Sequence, residues 1–440
     1  MSTTQTRAGT VARNYPVAPK TIEESGLDMP FLINLVLKFL YQSSYETETD
    51  VANAIKLPLH TVASVFEETR HRELIESLGA QRPTDFSGLR YRLTTKGRDW
   101  ALEALAQSRY VGPAPVILDE YRAQVERQRI RHEHIEKGQL SKALEHLIIP
   151  SDLWGELGPA VNSGESMLIY GPSGNGKTSI AEAIGTAFHD TIFVPYSIIV
   201  GGEVVVIHDE GVHRPPVDEK TPESGQDSRT AAAGLRDFDH RWVPCRRPVV
   251  LSGGELTLQI LDLIYTDALY YEAPLHVKAM NGVFIIDDFG RQFVDPNDLL
   301  NRWIIPLERH VDFLTLRTGK KFSLPFDEFV VFATNIPPRE LMDPAQLRRI
   351  PFKIEIAPPS YENYERVFRN VCKEYNLKMP ENLVQDLRKA YYEKEGKQIA
   401  YYHPKFILQH VLAHCRFIEE EPALNATTLK SALRHLDTSY

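Results

Sequence analysis

Gly171-Pro172-Ser173-Gly174-Asn175-Gly176-Lys177-Thr178 matches the pattern G-x-x-x-x-G-K-[ST] at every fixed position. An apolar run precedes this stretch and a helix-like run follows it, which is the strand–loop–helix setting that the pattern requires. The glycines allow backbone N–H groups to converge on an anion, and the helix N-terminus adds the positive end of its dipole. A glycine-rich turn that fits by chance is the alternative, but it does not explain the two flanks. The stretch therefore predicts a phosphate-binding loop, in which Lys177 reaches the β- and γ-phosphates of a nucleotide and the Thr178 hydroxyl holds Mg²⁺.

A second apolar run, residues 283–286, ends in two adjacent carboxylates, Asp287 and Asp288. A continuously apolar run is typical of a buried parallel strand, and ligands of open α/β sheets bind at the carboxyl ends of the strands. We therefore expect Asp287 to orient Mg²⁺ through its water shell and Asp288 to polarise an attacking water. The alternative, a core strand followed by a polar turn, leaves the two adjacent acids unexplained.

A third strand-like run, residues 329–334, leads directly to Asn335. An amide at the end of such a strand can position a water molecule or contact a γ-phosphate. The stretch Asp343-Pro344-Ala345-Gln346-Leu347-Arg348-Arg349 follows, and then an apolar strand is predicted at residues 352–356. Taken alone, Arg348 and Arg349 could equally be surface charges at the end of a helix.

The order of these four motifs resembles that of AAA+ ATPases, over about residues 140–440. The resemblance implies an α/β fold, with a P-loop NTPase parallel sheet as the AAA+ core and a C-terminal helical lid. It makes residues 171–178 the Walker A motif, residues 283–288 the Walker B motif and Asn335 sensor 1. It also implies that one of the two arginines, Arg348 or Arg349, reaches the ATP of a neighbouring subunit and stabilises transition-state charge as an arginine finger.

The chain departs from this family pattern at two positions. The family's second sensor is usually an arginine at the start of a lid helix, and Lys405 stands at the matching place without the planar fork of a guanidinium. The usual Walker B pair is Asp-Glu, whereas this chain has Asp287-Asp288, so its second acid is one methylene shorter. We expect hydrolysis to persist, either slowed or with the water held differently. A nucleotide-gated scaffold with negligible turnover is a further hypothesis.

The 110 positions between Lys177 and Asp287 contain insertions. A Gly-Gly turn within residues 198–206 predicts a hairpin, and the composition of residues 209–240 predicts a mobile loop. Beyond Asp287, and before Asn335, residues 315–321 predict a second, basic hairpin. This layout resembles the MoxR-like branch of AAA+ proteins with an insert in helix 2. The resemblance implies a ring, with six subunits and stabilised by ATP, that remodels a protein client.

Residues 29–110 predict a winged-helix-like domain, because three helix-like segments are followed by a strand-like alternation and a closing helix. Its candidate recognition helix carries four Glu against two Arg between positions 59 and 76, which is unfavourable opposite phosphates. The following wing is basic, with Arg82, Arg90, Arg92, Lys96 and Arg98 against Asp85. We therefore favour a protein partner for this module and keep an ATP-controlled nucleic-acid-binding regulator as the alternative.

Composition sets the remaining expectations. The net charge of -9 gives no sign of nucleic-acid binding by the whole chain, and the three cysteines are expected to be reduced thiols, without a disulfide or zinc. The first twenty residues lack the apolar centre of a signal peptide, and no apolar run is long enough to insert in a membrane, which favours a cytoplasmic protein. The predicted divisions are a disordered tail (1–28), the winged-helix-like domain (29–110), a helical connector (111–150), the ATPase core (151–357) and the lid (358–440).

Overall fold

The computed structural model describes residues 15–44, 46–78, 89–216 and 237–436. The strands are β1 (Glu46–Thr47), β2 (Ile75–Ser77), β3 (Arg90–Leu93), β4 (Val116–Ile117), β5 (Met167–Tyr170), β6 (Thr191–Pro195), β7 (Ser197–Val200), β8 (Glu203–Val206), β9 (Trp242–Arg246), β10 (Val249–Ser252), β11 (Ile264–Tyr265), β12 (Tyr271–Glu272), β13 (Val283–Ile286), β14 (Val311–Thr315), β15 (Lys321–Pro325), β16 (Phe329–Thr334) and β17 (Phe352–Glu355).

The helices are α1 (Met29–Ser43), α2 (Glu48–Ile55), α3 (Leu59–His71), α4 (Thr95–Gln107), α5 (Leu118–Arg127), α6 (Lys137–Ala143), α7 (Trp154–Ser163), α8 (Lys177–Gly185), α9 (Leu275–Lys278), α10 (Pro296–Arg302), α11 (Ile304–Arg309), α12 (Pro338–Leu341), α13 (Pro344–Leu347), α14 (Tyr361–Glu374), α15 (Leu383–Leu387), α16 (Glu393–Glu395), α17 (His403–Phe417) and α18 (Ala426–Leu436). Short 3₁₀ turns lie at Glu23–Ser25, Ile130–His132 and Leu258–Leu261.

A sheet of five parallel strands, in the order β10-β13-β16-β5-β17, organises the ATPase-like part of the chain. Every residue of β13 and β16 is buried, which explains why both strands read as continuously apolar runs in the sequence. Ile180 and Ile184 of α8 pack with Val283 in one hydrophobic cluster on the sheet. The predicted α/β class, with a parallel sheet of the P-loop NTPase type, is confirmed. Because β16 lies between β5 and β13, the three predicted motif loops leave adjacent strand ends.

The insertions, together with the connector strand β4, form a second, mixed sheet in the order β11-β12-β8-β7-β4, and two further strand pairs are β6 with β9 and β14 with β15. The predicted hairpin with a Gly-Gly turn is confirmed by the antiparallel pairing of β7 with β8. The second predicted hairpin is also confirmed, by the pairing of β14 with β15. The predicted mobile loop at 209–240 falls largely on residues 217–236, which lie outside the described residues.

The N-terminal helices α1–α4 and the sheet β1-β3-β2 share one hydrophobic core. Val204 of the hairpin strand β8 belongs to the same core, so the N-terminal module is packed on the insertions. Within the module, the ammonium of Lys38 joins α1 to the segment after α4, because it donates to the carbonyls of Ser108 (3.1 Å) and Tyr110 (2.6 Å). Arg82 and Asp85 of the predicted wing lie outside the described residues, and the winged-helix interpretation stays a prediction.

Two predicted divisions are corrected by these contacts. Residues 15–28 were expected to belong to a disordered tail, but Val17 forms a β-bridge with Phe238 and the Ser25 carbonyl accepts a hydrogen bond from buried Arg241. Residues 1–14 lie outside the described residues. The connector was expected to contain a charged helical segment over residues 120–145, but the helix is broken between α5 and α6, where Ile130 is buried and its N–H donates to Asp327.

The C-terminal region consists of α14 to α18 around a core of its own. Helices were expected over residues 358–440, and α14 to α18 lie there, with one local difference. Residues Arg388–Tyr392 form a π-helical turn between α15 and α16, which the apolar spacing did not indicate. Among the described residues, no helix combines the length and the apolarity needed to cross a membrane.

Candidate nucleotide-binding site

The predicted phosphate loop connects β5 to α8, and two of its glycines are required by close packing. Gly171 has a φ of 140°, and a Cβ there would lie 2.3 Å from the carbonyl oxygen of Ile356. Gly174 has a φ of 77°, and a Cβ there would lie 2.2 Å from the ring of Tyr402. Gly176, also with a positive φ, is the N-cap of α8, so unpaired backbone N–H groups of the first helical turn line the loop. The remaining loop residues Pro172 and Ser173 are exposed, and Asn175 is buried.

Lys177 is buried beneath the loop and holds it together. Its Nζ donates to the carbonyls of Gly171 (2.9 Å) and Pro172 (3.0 Å) and to Oδ1 of Asn335 (2.5 Å). Burial lowers the pKa of Lys177, while the nearby carboxylates of Asp287 and Asp288 oppose that shift. The structure thus brings Lys177, the predicted phosphate-binding lysine, into direct contact with Asn335, the predicted sensor.

Thr178 and Asp287 form the second part of the site. The Thr178 hydroxyl lies 2.9 Å from each carboxylate oxygen of Asp287, and both side chains are half-buried. A hydroxyl and a carboxylate oxygen are ligands that suit Mg²⁺, which is usually bound through few protein groups and keeps several waters. The two residues therefore fit the metal that the sequence predicts. When bound there, Mg²⁺ would neutralise charge on the β- and γ-phosphates.

Asp288 lies at the open side of the site. Its carboxylate is exposed, and its Oδ1 accepts a hydrogen bond of 3.2 Å from Nδ2 of Asn335. Its φ of 49° is unusual for a residue other than glycine, although aspartate tolerates the left-handed region better than most. Asn335 therefore contacts both Lys177, through its carbonyl, and Asp288, through its NH₂ group.

Arg348 and Arg349 have different surroundings. The guanidinium of Arg349 pairs with Glu308 at 2.7 Å and donates to the Ala345 carbonyl at 2.9 Å, so only 14% of its side chain is exposed. Arg348, at the C-terminal end of α13, is exposed. Among the described residues, its side chain has no hydrogen-bond or ion-pair partner. The structure therefore leaves Arg348 available for contact with another molecule and occupies Arg349 within its own chain.

The C-terminal region contacts the phosphate loop directly through residues 400–403. The N–H of Tyr402 donates to the Gly174 carbonyl at 3.1 Å, and the N–H of Tyr401 donates to Oδ1 of Asn175 at 3.4 Å. Lys405 lies in the first turn of α17 and is exposed, without a hydrogen bond or ion pair to the described residues. No sequence motif indicated the two tyrosines, because their contacts depend on how the C-terminal region packs on the phosphate loop.

A buried hydrogen-bonded chain supports this contact from within the C-terminal region. The hydroxyl of Tyr364 lies 2.7 Å from that of Tyr392, which lies 2.9 Å from Nδ1 of His403. The N–H of Ala400 also donates to Nδ1 of His403, so this nitrogen is an acceptor and the imidazole is neutral. Burial lowers the pKa of His403 to about 4, in agreement with the neutral form. The π-helical turn places Tyr392 in this chain of contacts.

A mainly apolar pocket opens beside the phosphate loop, on the side of β17 and away from β13. It was not predicted, although the run Leu147-Ile148-Ile149-Pro150 in the sequence offered a signal. A flat aromatic ligand would suit such a lining. The pocket is lined mainly by Leu147, Ile148, Ile149, Pro150, Leu153, Gly176, Ile180, Ile356, Ala357 and Tyr401.

The chain was compared with protein-family models and with curated proteins. A family model described as "Domain of unknown function (DUF8689)" matches residues 360–435, which are the helices of the C-terminal region. A comparison with curated proteins finds no match for this chain.

Three of the solved structures to which this chain is similar are the following. NtrX from Brucella abortus is 12% identical, with 63% of this chain and 52% of NtrX covered and a TM-score of 0.38, so the chain spans about half the length of NtrX. Domain III of the replication initiation protein DnaA from Thermotoga maritima is 12% identical, with 67% and 96% covered and a TM-score of 0.36. A complex of the magnesium chelatase subunits BchI and BchD is 16% identical, with 63% and 90% covered and a TM-score of 0.30. The fold and site described above rest on this chain's own topology and contacts.

Proposed function

We propose that this protein is a Mg²⁺-dependent ATPase of the AAA+ class, which binds ATP and hydrolyses it to ADP and phosphate. The observation that carries the proposal is the convergence of five polar side chains at the ends of three adjacent parallel strands. Phosphoryl transfer to water requires a phosphate-binding loop, two ligands for a metal ion, an acid and an amide that contacts the acid. These residues are Lys177, Thr178, Asp287, Asp288 and Asn335.

Each residue then has a separate task. The N–H groups of residues 171–178 bind the phosphates, and Lys177 exchanges its contacts with the loop carbonyls for phosphate oxygens. Thr178 and Asp287 hold Mg²⁺, and Asp288, exposed beside Asn335, accepts a proton from the attacking water. Catalysis of this type depends on positioning and on charge stabilisation. The apolar pocket beside the loop takes the base of the nucleotide.

Purified protein and radiolabelled or colorimetric phosphate release test this function directly. We expect Mg²⁺-dependent release of phosphate from ATP, and a loss of at least about 100-fold in Asp288→Asn, which cannot accept a proton. Asp298→Asn, an exposed acid on α10 outside the site, serves as the matched control. ATP binding without any hydrolysis by the wild-type protein would instead support a nucleotide-gated scaffold.

We further propose that the active form is a ring of subunits, with six as the expected number, in which Arg348 completes the site of a neighbour. Arg348 is exposed and unpaired within the described part of the chain, as a residue that acts on another subunit has to be. Arg349, held by Glu308, is the weaker candidate. Lys405 stands at the position of a second sensor. Because it is exposed, we assign it only an electrostatic attraction to a bound phosphate.

The cellular role that we propose is the remodelling of a protein client in the cytoplasm, as in the MoxR-like branch. The contacts of the N-terminal module favour a protein over a nucleic acid. Arg92 pairs with Glu76 at 2.6 Å, and Arg72 pairs with Glu68 at 2.7 Å, so part of the basic charge is already neutralised. The buried, free thiols of Cys245, Cys372 and Cys415 are compatible with a reducing compartment.

A further inference from the structure

The loop that follows β13 is closed by a single side chain, that of Gln292. Its Nε2 donates to the carbonyl oxygen of Asp287 at 2.8 Å, and its Oε1 accepts from the N–H of Gly290, also at 2.8 Å. Both ends of one amide are therefore used to bridge the backbone of the same short loop. Gln292 is half-buried, so these bonds are partly shielded from water.

The peptide group that Gln292 holds is the one directly before Asp288. The peptide group directly after Asp288 is also held, because the N–H of Phe289 donates to the carbonyl of Ala333 at 2.7 Å. Two fixed peptide planes determine φ and ψ of the residue between them. Gln292 and Ala333 together therefore fix the backbone of Asp288, and with it the direction of its Cα–Cβ bond.

This fixation matters because the backbone of Asp288 is strained. A φ of 49° lies in the left-handed region, which is unfavourable for an L-residue, and such a conformation persists only where the surroundings impose it. The carboxylate that it directs accepts a hydrogen bond from Asn335 at 3.2 Å. Aspartate has one rotatable bond fewer than glutamate, so the backbone, rather than side-chain flexibility, decides where its carboxylate lies.

We propose that Gln292 is a positioning residue for hydrolysis, which holds the peptide before Asp288 so that the short carboxylate faces the attacking water. This inference rests on the proposed ATPase function and names a residue that no motif contains. Gln292 touches neither the nucleotide nor the water; it acts through Asp288. A misplacement of about 1 Å can lower a rate about 100-fold, which is the scale of effect that a released loop would produce.

Steady-state hydrolysis and nucleotide binding by Gln292→Ala provide the test. We expect kcat to fall about 10- to 100-fold, while KM and the affinity for ATP stay within twofold of wild type. In the Asp288→Asn background, Gln292→Ala should cause no further loss, because the group that it positions is already inactive. Phe293→Ala is the matched control, since this neighbouring side chain is 91% exposed and should not alter kcat.

Gln292→Glu tests the two hydrogen bonds of the Gln292 side chain separately. It is also nearly the same size as glutamine, so it is less prone to a folding defect than Gln292→Ala. Glutamate can still accept from Gly290 but cannot donate to the Asp287 carbonyl, so its kcat should fall as in Gln292→Ala. Amide hydrogen exchange of the nucleotide-free protein gives a readout independent of activity. The peptide that contains Gly290 and Arg291 should exchange faster in both variants than in wild type, because the Arg291 N–H bond to the Asp288 carbonyl is released with the loop.

The outcomes distinguish this inference from the proposed function. If wild-type protein hydrolyses ATP and Gln292→Ala does so at an equal rate, the positioning role is wrong and the ATPase function stands. An equal loss from Gln292→Ala with and without the Asp288→Asn change would also overturn it, because the residue would then act independently of Asp288. If wild-type protein does not hydrolyse ATP at all, the proposed function itself fails.

Discussion

Lys177 and Asn335 are joined by a hydrogen bond of 2.5 Å between the ammonium Nζ and the amide Oδ1, although 158 residues separate them in the chain. The contact exists because β5 and β16 are adjacent parallel strands whose carboxyl ends meet. Asn335 also reaches Asp288 through its NH₂ group, so it links the phosphate loop to the proposed general base. A ligand that draws Lys177 away would release Asn335, and the amide would then be free to orient water.

Lys177→Ala should weaken binding of Mg·ATP about 10- to 100-fold while the fold is retained. Hydrogen bonds from a charged donor are worth about 1.5–3 kcal/mol, and each 1.4 kcal/mol is a factor of ten in affinity. The measurement is a titration with a fluorescent ATP analogue, with circular dichroism to check the fold. Lys321→Ala, an exposed cation on β15, is the control. Equal affinities of the two variants would mean that residues 171–178 do not bind the phosphates.

The two arginines after sensor 1 should behave differently. Arg348→Ala should lower ATP hydrolysis about 1,000-fold without affecting binding, as expected of an arginine finger. Arg349→Ala should retain most activity and lower the free energy of unfolding by about 0.5–1 kcal/mol, because it breaks the pair with Glu308. Glu308→Gln breaks the same pair from the other side and should reproduce the second result. Phosphate release and urea unfolding measure the two effects.

Mixing experiments decide whether Arg348 acts between subunits. An Arg348→Ala chain keeps an intact phosphate loop, and a Lys177→Ala chain keeps an intact arginine. Mixed assemblies contain interfaces that combine the two intact halves, so they should recover part of the wild-type hydrolysis. Complete inactivity of a mixture whose co-assembly has been demonstrated would contradict a role in trans.

The motif residues could be predicted from sequence because each depends on local geometry and on the ends of strands. A glycine-rich turn before a helix, and acids or amides after apolar runs, have the same consequence in any parallel sheet. For this reason residues as distant as Lys177, Asp287 and Asn335 were expected together, and the structure brings them together.

The side chains that the sequence did not indicate depend on packing between distant segments. The sequence around Arg349 does not indicate its ion pair with Glu308. Likewise, Gly174 packs against the ring of Tyr402, which lies more than 200 residues later in the chain. Residues 15–28 were expected to be part of a tail because the start of the chain has no apolar run, yet backbone bonds to residues near 238 fix this segment. The length of the connector helix was overestimated because charged residues continue past the point where Ile130 turns into the core.

The stability of the C-terminal region should depend on pH through His403. Its pKa in the folded protein is lowered to about 4 by burial, compared with 6.5 for an unperturbed histidine. The unfolded chain therefore binds more protons than the folded chain between pH 6.5 and 4. The contribution of His403 to the free energy of unfolding is complete above pH 6.5 and is lost as the pH falls through this window. We expect a loss of about 2 kcal/mol from this group between pH 7.5 and pH 4.5.

Urea unfolding of wild type and His403→Asn at these two pH values checks the expectation. The variant cannot titrate at this position, so its loss of stability on acidification should be smaller by the same amount. His132→Asn, which changes an exposed histidine, should leave the wild-type pH dependence unaltered. His213, whose pKa burial also lowers to about 4, contributes equally to wild type and to both variants. An unchanged pH dependence in His403→Asn would show that folding does not lower the pKa of His403.

The last prediction concerns the two basic surfaces that could contact nucleic acid. One is the wing with Arg90 and Arg92; the other is the exposed end of the β14–β15 hairpin, which carries Arg317, Lys320 and Lys321. Because Arg92 is already paired with Glu76, and residues 59–76 carry four Glu against two Arg, we expect the full-length protein to bind duplex DNA only at low salt.

Fluorescence anisotropy with a duplex at low and near-physiological salt makes this measurable, with Arg90→Ala/Arg92→Ala and Lys320→Ala/Lys321→Ala as matched pairs of neutralised charges. The full chain is the appropriate material, because the N-terminal module shares its core with Val204 of β8 and its removal would expose that core. Residual low-salt binding that both pairs weaken alike would be non-specific attraction. Tight binding at near-physiological salt, lost in Arg90→Ala/Arg92→Ala and kept in Lys320→Ala/Lys321→Ala, would instead make the N-terminal module a nucleic-acid reader and overturn the proposed protein partner.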